Sequence, residues 1–342
     1  MHTLLDLARF NHVPYFLITI CFTFTIMPEA LSTPLLQVQN LSRQFGRDTV
    51  VQQVSFTLNT GEILGLLGHN GAGKSTTLNM ITGTLAATTG NIQIAGYDLH
   101  KKPAHAKRHI GYLPATAPLY ESMTVTEYLT FCAKLHKIPN NQIKHHRQQA
   151  IELCNLNAIT QKRLGLLSTG FKQRVGIAQA LIHQPDVIIL DEPTNGLDPE
   201  QMSDMRSLIK GLSKNHSILF SSHLLTEVSA ICDRVLILNQ GKQVVNQTLS
   251  SLQDSLETVT LLVEFESSPK LDQLLNINGV QSAKQVSETQ WHCCVRHHKT
   301  TAQNIIAQSH QQHWGLYHIS EASSLLEQVF LQQMHLSVEI QP

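Results

Sequence analysis

A glycine-rich loop in the first third of the chain has the residue types and the spacing needed to bind phosphate. It matches the pattern GxxxxGK followed by Ser or Thr, and its residues are Gly68, His69, Asn70, Gly71, Ala72, Gly73, Lys74 and Ser75, with Thr76 next. The glycines let backbone N–H groups turn towards phosphate oxygens at positions that a Cβ atom would obstruct. Lys74 is predicted to reach the β- and γ-phosphates, and the Ser75 hydroxyl to bind Mg²⁺. This phosphate loop (residues 68–75) therefore predicts a nucleoside triphosphate site.

Two adjacent carboxylates, Asp191 and Glu192, follow the apolar run 187–190. A buried strand can place two neighbouring acids only at its exit, where they would meet the phosphates and the metal ion. Asp191 is predicted to help hold Mg²⁺, directly or through water. Glu192 is predicted to orient or deprotonate the attacking water. A strand end with two solvated acids is the alternative for the pair alone, but the phosphate loop earlier in the chain favours hydrolysis.

The segments around these residues alternate between strand and helix patterns. Predicted strands cover 35–41, 54–59, 62–67, 91–95, 187–190, 217–220 and 235–238. Predicted helices cover 73–82, 124–137, 142–154 and 171–183, the last capped by Ser168 or Gly170. Thr124 and Glu127 form a capping-box pattern, and residues 115–170 are predicted to be a helical insert. The alternation predicts an α/β fold with a mostly parallel sheet and helices on both faces.

A second unit is predicted over 250–336, where the strand and helix pattern changes. The order βαββαβ suggests a small α+β, ferredoxin-like accessory domain, and a further helix is predicted over 324–334. Cys293 and Cys294 lie among His292, His297 and His298, which raises the alternative of a metal site. Adjacent residues of a strand face opposite sides, so an ordinary strand is favoured. The chain's six cysteines show no paired spacing, which is typical of free thiols in a reducing compartment.

The motifs together resemble those of the ATP-binding subunits of ABC transporters. Beyond the phosphate loop and the acid pair, the resemblance rests on a signature-like stretch at 167–174, a Gly-Leu-Asp loop at 196–198 and the residues Ser221, Ser222 and His223. It covers about 35–246 and implies a P-loop NTPase cassette with an antiparallel β subdomain. ATP and Mg²⁺ are the implied cofactors, and ATP hydrolysis is the implied reaction.

The resemblance also implies that two cassettes face each other head to tail, with two ATP molecules between them. Ser168 and the Gly170 backbone would then contact the γ-phosphate held by the opposite protomer. Asp198 would lie at the dimer seam and couple the two sites. The second cassette is expected to be another copy of this chain or a different cassette in a heterodimer.

Two more residues have roles implied within one protomer. His223 would contact the γ-phosphate bound by Lys74, and Phe45 stands where the family has the aromatic residue that stacks on adenine. Each has a plainer interpretation: Phe45 as a core residue, and His223 as a helix cap after Ser222.

Two departures from the family pattern stand out. Thr169 and Phe171 replace residues of the usual LSGGQ signature, but Ser168 and Gly170 are kept. Ala115 stands where the family normally has a glutamine that contacts Mg²⁺ and the lytic water. Gliding-motility and multidrug-type exporters, which this chain resembles, often carry glutamate there. We expect water to complete the Mg²⁺ shell and basal hydrolysis to be slow.

The predicted function is therefore the ATP-hydrolysing subunit of an ABC transporter, with export favoured by the subfamily resemblance. It would power a separate membrane permease, peripherally at the cytoplasmic face of the inner membrane, and the permease would select the substrate. Lys and Arg together number 25, as do Asp and Glu, so no nucleic-acid partner is expected. An ABC ATPase of DNA repair would contain a long coiled coil, and one that acts in translation would carry two cassettes on one chain. A GTPase would contain an NKxD-like motif that recognises the base. None of these features is found in the sequence.

The N-terminal extension, residues 1–34, contains an apolar run over 13–27 that Pro14 and three threonines interrupt. The run is shorter than the roughly 20 residues of a spanning helix. A signal peptide is discounted because export would separate an ATPase from ATP. We expect a start codon placed too early, with Met27 beginning the protein; an uncleaved anchor is the alternative.

Overall fold

The structure is a computed structural model that describes residues 34–255, 259–296 and 298–321, without the side chains of 253–255. The predictions for residues 1–33 and for a helix over 324–334 lie outside the described residues. Within the described ranges, no helix combines the length and the apolar character that crossing a bilayer requires.

Ten strands form one sheet that carries the motifs of the cassette. They are β1 (Leu36–Phe45), β2 (Asp48–Leu58), β3 (Ile63–Leu67), β4 (Thr89–Ile94), β5 (Tyr97–Asp98), β6 (Ile110–Leu113), β7 (Val187–Asp191), β8 (Ser217–Ser222), β9 (Arg234–Asn239) and β10 (Lys242–Thr248). Their order in the sheet is β5-β4-β1-β2-β10-β9-β3-β8-β7-β6. Strands β9, β3, β8, β7 and β6 pair in parallel, which confirms the predicted parallel core. Strands β1, β2, β4 and β5 pair antiparallel, as predicted for the β subdomain.

Eight helices accompany this sheet in the described part of the chain. They are α1 (Lys74–Ile81), α2 (Pro103–Arg108), α3 (Val125–Leu135), α4 (Asn140–Leu153), α5 (Thr169–Leu181), α6 (Pro199–Leu212), α7 (Leu225–Ile231) and α8 (Leu249–Ser255). The predicted capping box is confirmed: the Thr124 hydroxyl accepts from the Glu127 N–H, and the Glu127 carboxylate accepts from the Thr124 N–H. Helix α5 begins two residues earlier than predicted, with Ser168 at the N-cap position and without a side-chain cap hydrogen bond.

Some elements differ from the sequence predictions. Strand β2 begins at Asp48 rather than at residue 54, because register shifts in its pairing with β1 break the alternating pattern. Strand β6 was not predicted, since Gly111 interrupts its short apolar run. Strands β5 and β10 and helix α2 were also missed. The predicted cassette limit at Asn246 falls inside β10, which continues to Thr248.

The sheet is buried on both faces, and β3 shows why its sequence is continuously apolar. Ile63 and Leu67 pack into the core that contains the helices of the insert and α6. Leu64 and Leu66 pack on the other face, with α1 and the antiparallel strands. Because both faces are covered, no position of the strand carries a polar side chain. The strand therefore places the following phosphate loop on a rigid support.

The C-terminal unit has the predicted βαββαβ order. Its elements are β11 (Val259–Phe265), α9 (Leu271–Leu275), β12 (Val280–Gln285), β13 (Gln290–Val295), α10 (His298–Gln312) and β14 (Leu316–Glu321). The strands are all antiparallel in the order β12-β13-β11-β14, the arrangement of a ferredoxin-like sheet. Cys293 is buried in the core beside Val263 and Trp291, and burial raises the pKa of its thiol to about 12. Its neighbour Cys294 is only partly buried, as expected for a side chain on the opposite face.

Glycines bring helix α5 and strand β6 unusually close together. A Cβ atom on Gly111 would lie 2.2 Å from the Ala180 carbonyl oxygen, and one on Gly176 would lie 2.5 Å from Leu113 Cδ1. The helix that begins at the signature-like stretch is therefore packed directly on the strand that leads to Ala115.

We expect Gly111→Ala to destabilise the fold by about 1–3 kcal/mol, because the added methyl group meets backbone that cannot yield as a side-chain tip can. Gly211→Ala in α6 is the matched control: no atom lies within 4 Å of its Cβ position, so it should raise stability by up to about 1 kcal/mol. Urea unfolding measures both changes in the free energy of unfolding, and its dependence on urea concentration should have the same slope in all three proteins. Equal stability of Gly111→Ala and wild type would contradict the close packing.

Two histidine rings stack where the insert meets the sheet. The imidazoles of His136, at the end of α3, and His183, after α5, are parallel, with centroids 3.9 Å apart. The His183 Nε2 lies 2.9 Å from the Ile110 carbonyl oxygen, which can only accept, so this nitrogen carries the proton. Burial, with a smaller contribution from the His136 charge and then from His146, lowers the pKa of His183 to about 4. Burial also lowers the pKa of His136.

Acid should therefore destabilise the fold through this histidine pair. The folded-state pKa of His183 is below the ordinary value of 6.5, so its contribution is complete above about pH 6.5 and is lost as the pH falls towards 4. The urea midpoint should fall across this window, and less steeply in His183→Gln. His145→Gln, at an exposed position of α4, should behave like the wild type. An unchanged acid dependence in His183→Gln would rule out this origin.

Candidate functional site

The phosphate loop connects β3 to α1, and its glycines are required by close contacts. A Cβ on Gly68 would lie 2.6 Å from the Leu238 carbonyl oxygen, and one on Gly73 would lie 2.9 Å from the Val50 carbonyl oxygen. Gly73 is also the N-cap of α1, with φ of 100°, a conformation that disfavours other residues. The loop is therefore pressed against β2 and β9, and the N-terminus of α1 is free to bind an anion.

A cleft of about 420 Å³ opens above this loop. Its lining residues are Val50, His69, Asn70, Gly71, Gly73, Lys74, Ser75, Thr76, Glu192, Asn195 and His223. The structure thus brings together the predicted loop, the second acid and the histidine from separate strand ends. Gly68 and Ala72 also belong to the loop, but they are buried and do not line the cleft. Sequence reasoning missed Val50 and Asn195; only Asn195, three residues after Glu192, had a local signal.

The two acids at the end of β7 point into different environments. Asp191 is only 3% exposed, and its Oδ1 accepts a 2.7 Å hydrogen bond from the Ser221 hydroxyl on β8. Glu192 has φ of 50°, which is uncommon for a residue with a Cβ. Its N–H donates to the same Ser221 hydroxyl oxygen over 2.9 Å. This turn directs the Glu192 side chain into the cleft while Asp191 stays in the sheet.

The Glu192 carboxylate lies between two hydrogen-bond donors that also face the cleft. The Lys74 amino group is 3.4 Å from its Oε1 and donates to the Gly68 carbonyl oxygen over 2.7 Å. The His223 Nδ1 is 2.5 Å from its Oε2 and donates to it, since an ionised carboxylate can only accept. A γ-phosphate in the cleft would compete with Glu192 for both donors.

The oxygen donors present suit Mg²⁺, which prefers carboxylate and hydroxyl oxygens. The Ser75 hydroxyl lies in the first turn of α1, and α1 contacts β7, the strand that ends in Asp191. Tyr112 lies near Asp191, and burial followed by the charge of this carboxylate raises the pKa of the tyrosine to about 12. Asp191 accepts from Ser221 through Oδ1, so its second carboxylate oxygen would be the ligand offered to a cation.

Ser168, Gly170 and Asp198 do not line the phosphate cleft but meet at a second place. Asp198 caps α6, and its carboxylate accepts from the Gln201 N–H over 2.8 Å. A Cβ on Gly170 would lie 2.4 Å from the Gln201 Oε1. Gln201, which sequence reasoning missed, thus lies against both the signature-like stretch and the Gly-Leu-Asp loop.

The plainer interpretations of two predicted residues do not fit the structure. Phe45 is 45% exposed and is therefore not a core residue. His223 does not cap α7, whose N-cap is Leu224. The Ser222 hydroxyl instead accepts from the Leu224 N–H, which leaves His223 to contact Glu192.

Comparisons with known proteins agree with the motifs. Residues 51–195 match the family described as ABC transporter. The linearmycin resistance ATP-binding protein LnrL of Bacillus subtilis (strain 168) is 32% identical over 302 residues, which cover 87% of this chain and 97% of LnrL. The bacitracin transport ATP-binding protein BcrA of Bacillus licheniformis is 38% identical over 210 residues, 61% of this chain and 68% of BcrA. A solved structure of an ABC transporter ATP-binding subunit, at 32% identity, covers 64% of this chain and 92% of its own with a TM-score of 0.58.

Glu192→Gln should retain ATP binding and lower the rate of hydrolysis about 10²- to 10⁴-fold, because the amide cannot accept a proton from water. Binding should tighten, since the neutral side chain competes less for Lys74 and His223. Phosphate release and calorimetric titration measure the two effects. Glu200→Gln, an exposed acid in the first turn of α6, should match the wild type. Hydrolysis at the wild-type rate in Glu192→Gln would show that Glu192 is not the base.

Proposed function

The chain belongs to the ABC transporter family of ATP-binding proteins, which are ATPases, and on that premise we propose that it powers a separate membrane permease as an exporter. The proposal includes a head-to-tail dimer of cassettes with ATP at their interface. The main support for the proposal is the cleft in which Lys74 and His223 both contact the carboxylate of Glu192. The cleft supplies the donors, the general base and the helix N-terminus that transfer of a phosphoryl group to water requires.

The cleft's own residues can perform the reaction in a simple order. Backbone N–H groups of the phosphate loop and the N-terminus of α1 bind the β-phosphate. Lys74 and His223 exchange part of their contact with Glu192 for the γ-phosphate oxygens. The freed carboxylate orients a water molecule and accepts its proton. Ser75 and Asp191 would hold Mg²⁺, which when bound neutralises charge on the phosphates.

The dimer accounts for the residues that stand apart from this cleft. Ser168 and Gly170 lie at the start of α5 beside Asp198 and Gln201, and none of the four lines the phosphate cleft. A second cassette, turned head to tail, would bring these residues to the first cassette's γ-phosphate. The partner is a second copy of this chain or a different cassette.

The permease is proposed to dock on the insert. Leu166, Tyr120 and Phe171 are 81%, 55% and 38% exposed. Their sequence neighbours meet at Glu121, which accepts from the Gly165 N–H and pairs with Lys172. Tyr120 lies edge-on to Phe131 of α3, with ring centroids 5.4 Å apart. A groove near residues 115–121 would receive a helix of the permease.

Export is favoured by the relatives, whose names refer to linearmycin resistance and to bacitracin transport. The membrane face is proposed from the supply of ATP, which places the chain peripherally on the cytoplasmic side. Membership of the gliding-motility type stays a prediction. The permease would select the substrate.

The function is tested by ATP binding and phosphate release from the full chain with Mg²⁺. Lys74→Ala should weaken ATP binding at least about tenfold, because it removes a charged donor to the phosphates. Lys210→Ala, at an exposed position of α6, should not. Wild-type protein that shows neither nucleotide binding nor phosphate release would refute the proposal.

The dimer and the permease need separate measurements. Glu192→Gln with Mg-ATP should sediment as a dimer and without nucleotide as a monomer; a monomer under both conditions would contradict the sandwich. Co-expression with a candidate permease that co-purifies with this chain should stimulate hydrolysis, and Leu166→Glu should remove the stimulation. Stimulation that survives Leu166→Glu would place the docking site elsewhere.

Ala115→Gln should raise basal hydrolysis, because a carboxamide at this exposed position after β6 could reach the metal ion and the lytic water, as a methyl group cannot. Thr116→Gln places the same side chain one residue further and should leave the rate unchanged. Steady-state phosphate release without the permease measures both. An unchanged or lower rate in Ala115→Gln would contradict the expectation.

A further inference from the structure

An exposed aromatic ring stands at the end of the β1–β2 hairpin with a cation over one of its faces. The guanidinium carbon of Arg43 lies 4.4 Å from the centroid of the Phe45 ring. The ring belongs to neither hydrophobic core of the cassette, and 45% of the residue's surface is exposed. Because Arg43 covers one face of the ring, the opposite face is the one on which another planar group could stack.

Arg43 is itself held by a second element. Its Nη1 donates a 2.8 Å hydrogen bond to the carbonyl oxygen of Ala86, in the segment after α1. The neighbouring Gln44 N–H donates to the Thr88 hydroxyl over 3.0 Å. The hairpin end is thus fastened to the segment that follows the phosphate-loop helix. The position of the Phe45 ring is consequently fixed relative to that helix.

The hairpin end also lies close to the phosphate cleft. Phe45 pairs with Asp48 across the hairpin, and Val50, two residues further along β2, lines the cleft. Two residues of a strand span about 7 Å, and paired residues lie roughly 5 Å apart across a hairpin. Phe45 and Val50 are therefore about 9 Å apart, a distance that the ribose and the base of a bound nucleotide can span together. The open face of the ring is therefore within reach of the base of a triphosphate bound in the phosphate loop.

We infer that Arg43 is a positioning residue for the adenine base, acting through Phe45. The inference rests on the proposed ATP-binding function. A cation over one face of an aromatic ring attracts the π-electron density towards itself. The opposite face becomes less negative and is then a better stacking partner for the electron-rich purine. Arg43 also limits rotation of the ring, so less freedom is lost when the base stacks. Arg43 does not need to touch the nucleotide.

The test compares binding of a non-hydrolysable ATP analogue, Mg-adenylyl imidodiphosphate, with binding of Mg-tripolyphosphate to the full chain. Arg43→Met should weaken binding of the analogue about two- to fivefold, the strength of an exposed cation–π contact. It should leave tripolyphosphate binding unchanged, since that probe has no base. In a Phe45→Ala background, Arg43→Met should have no further effect on the analogue. A purely structural role would weaken both probes.

Further variants separate the ring contact from the fastening to Ala86. Arg43→Gln keeps a donor for the Ala86 carbonyl without a cation and should lose as much affinity as Arg43→Met. Arg43→Lys keeps the cation and should lose less. Arg47→Met removes the same charge from the exposed turn after Phe45 and should bind like the wild type.

Three results would show that Arg43 does not position the base through Phe45. Wild-type affinity in Arg43→Gln would assign the effect to the Ala86 hydrogen bond, and an equal loss in Arg47→Met would assign it to general charge; either overturns the role. Unchanged or tighter binding of the analogue to Arg43→Met would also overturn the role. Tighter binding would show that Arg43 occupies the face of the ring that adenine needs. Failure of the wild type to bind either probe would instead refute the proposed function.

Discussion

The carboxylate of Glu192 depends on two hydrogen-bond donors brought to it by different strands. Lys74 follows β3, Glu192 follows β7, and His223 follows β8, and these three strands are neighbours in the parallel core. Parallel strands end at the same edge of a sheet, so their following residues can meet there. The contact between the three side chains therefore requires the order β3-β8-β7 and the register that sets these strand ends level. Covering both faces of the sheet with helices gives the apolar burial that fixes this order.

Close backbone approach is the second constraint on the site. Gly68 and Gly73 bring the phosphate loop against β9 and β2 at distances that leave no room for a side chain. Gly111 and Gly176 do the same between β6 and α5. The first pair shapes the anion site. The second pair joins the start of the insert to the helix that begins at the signature-like stretch. A movement of the insert would thus be transmitted to strand β6 and helix α5 through packed atoms.

The residues predicted to bind ATP lie at separate places on a single chain. One cleft is lined by Lys74, Glu192 and His223. Ser168, Gly170 and Gln201 line another, and the Asp198 carboxylate accepts from the Gln201 N–H beside it. Phe45, which we propose as the residue that stacks on the base, is exposed at the end of the β1–β2 hairpin and is backed by Arg43. Lys74, Glu192 and His223 thus follow strands of the parallel core, whereas Arg43 and Phe45 belong to the antiparallel strands. Sheet pairing between these two parts is slight, since β10 and β2 join through a single pair, Lys242 with Gln52.

The sequence by itself determined the chemistry and the class of fold. The phosphate loop and the acid pair Asp191 and Glu192 are local patterns, whose function follows from residue types at fixed spacing. The buried strands β3, β7, β8 and β9 were predicted from the apolar runs that they contain, which are typical of strands covered on both faces. The capping box at Thr124 and the βαββαβ order of the C-terminal unit were also readable, since caps and strand periodicity act over a few residues.

Only the tertiary structure decided which distant residues meet. Val50 and Arg43 have no local pattern that marks them, because their roles come from pairing across the β1–β2 hairpin and from contact with the segment after α1. Strand β6 was hidden because Gly111, a residue of low strand propensity, lies where close contact with Ala180 leaves no room for a side chain. The partner of His223 was equally undetermined until β7 and β8 lay side by side. Periodicity and spacing act along the chain, whereas these contacts depend on packing between segments that are far apart in sequence.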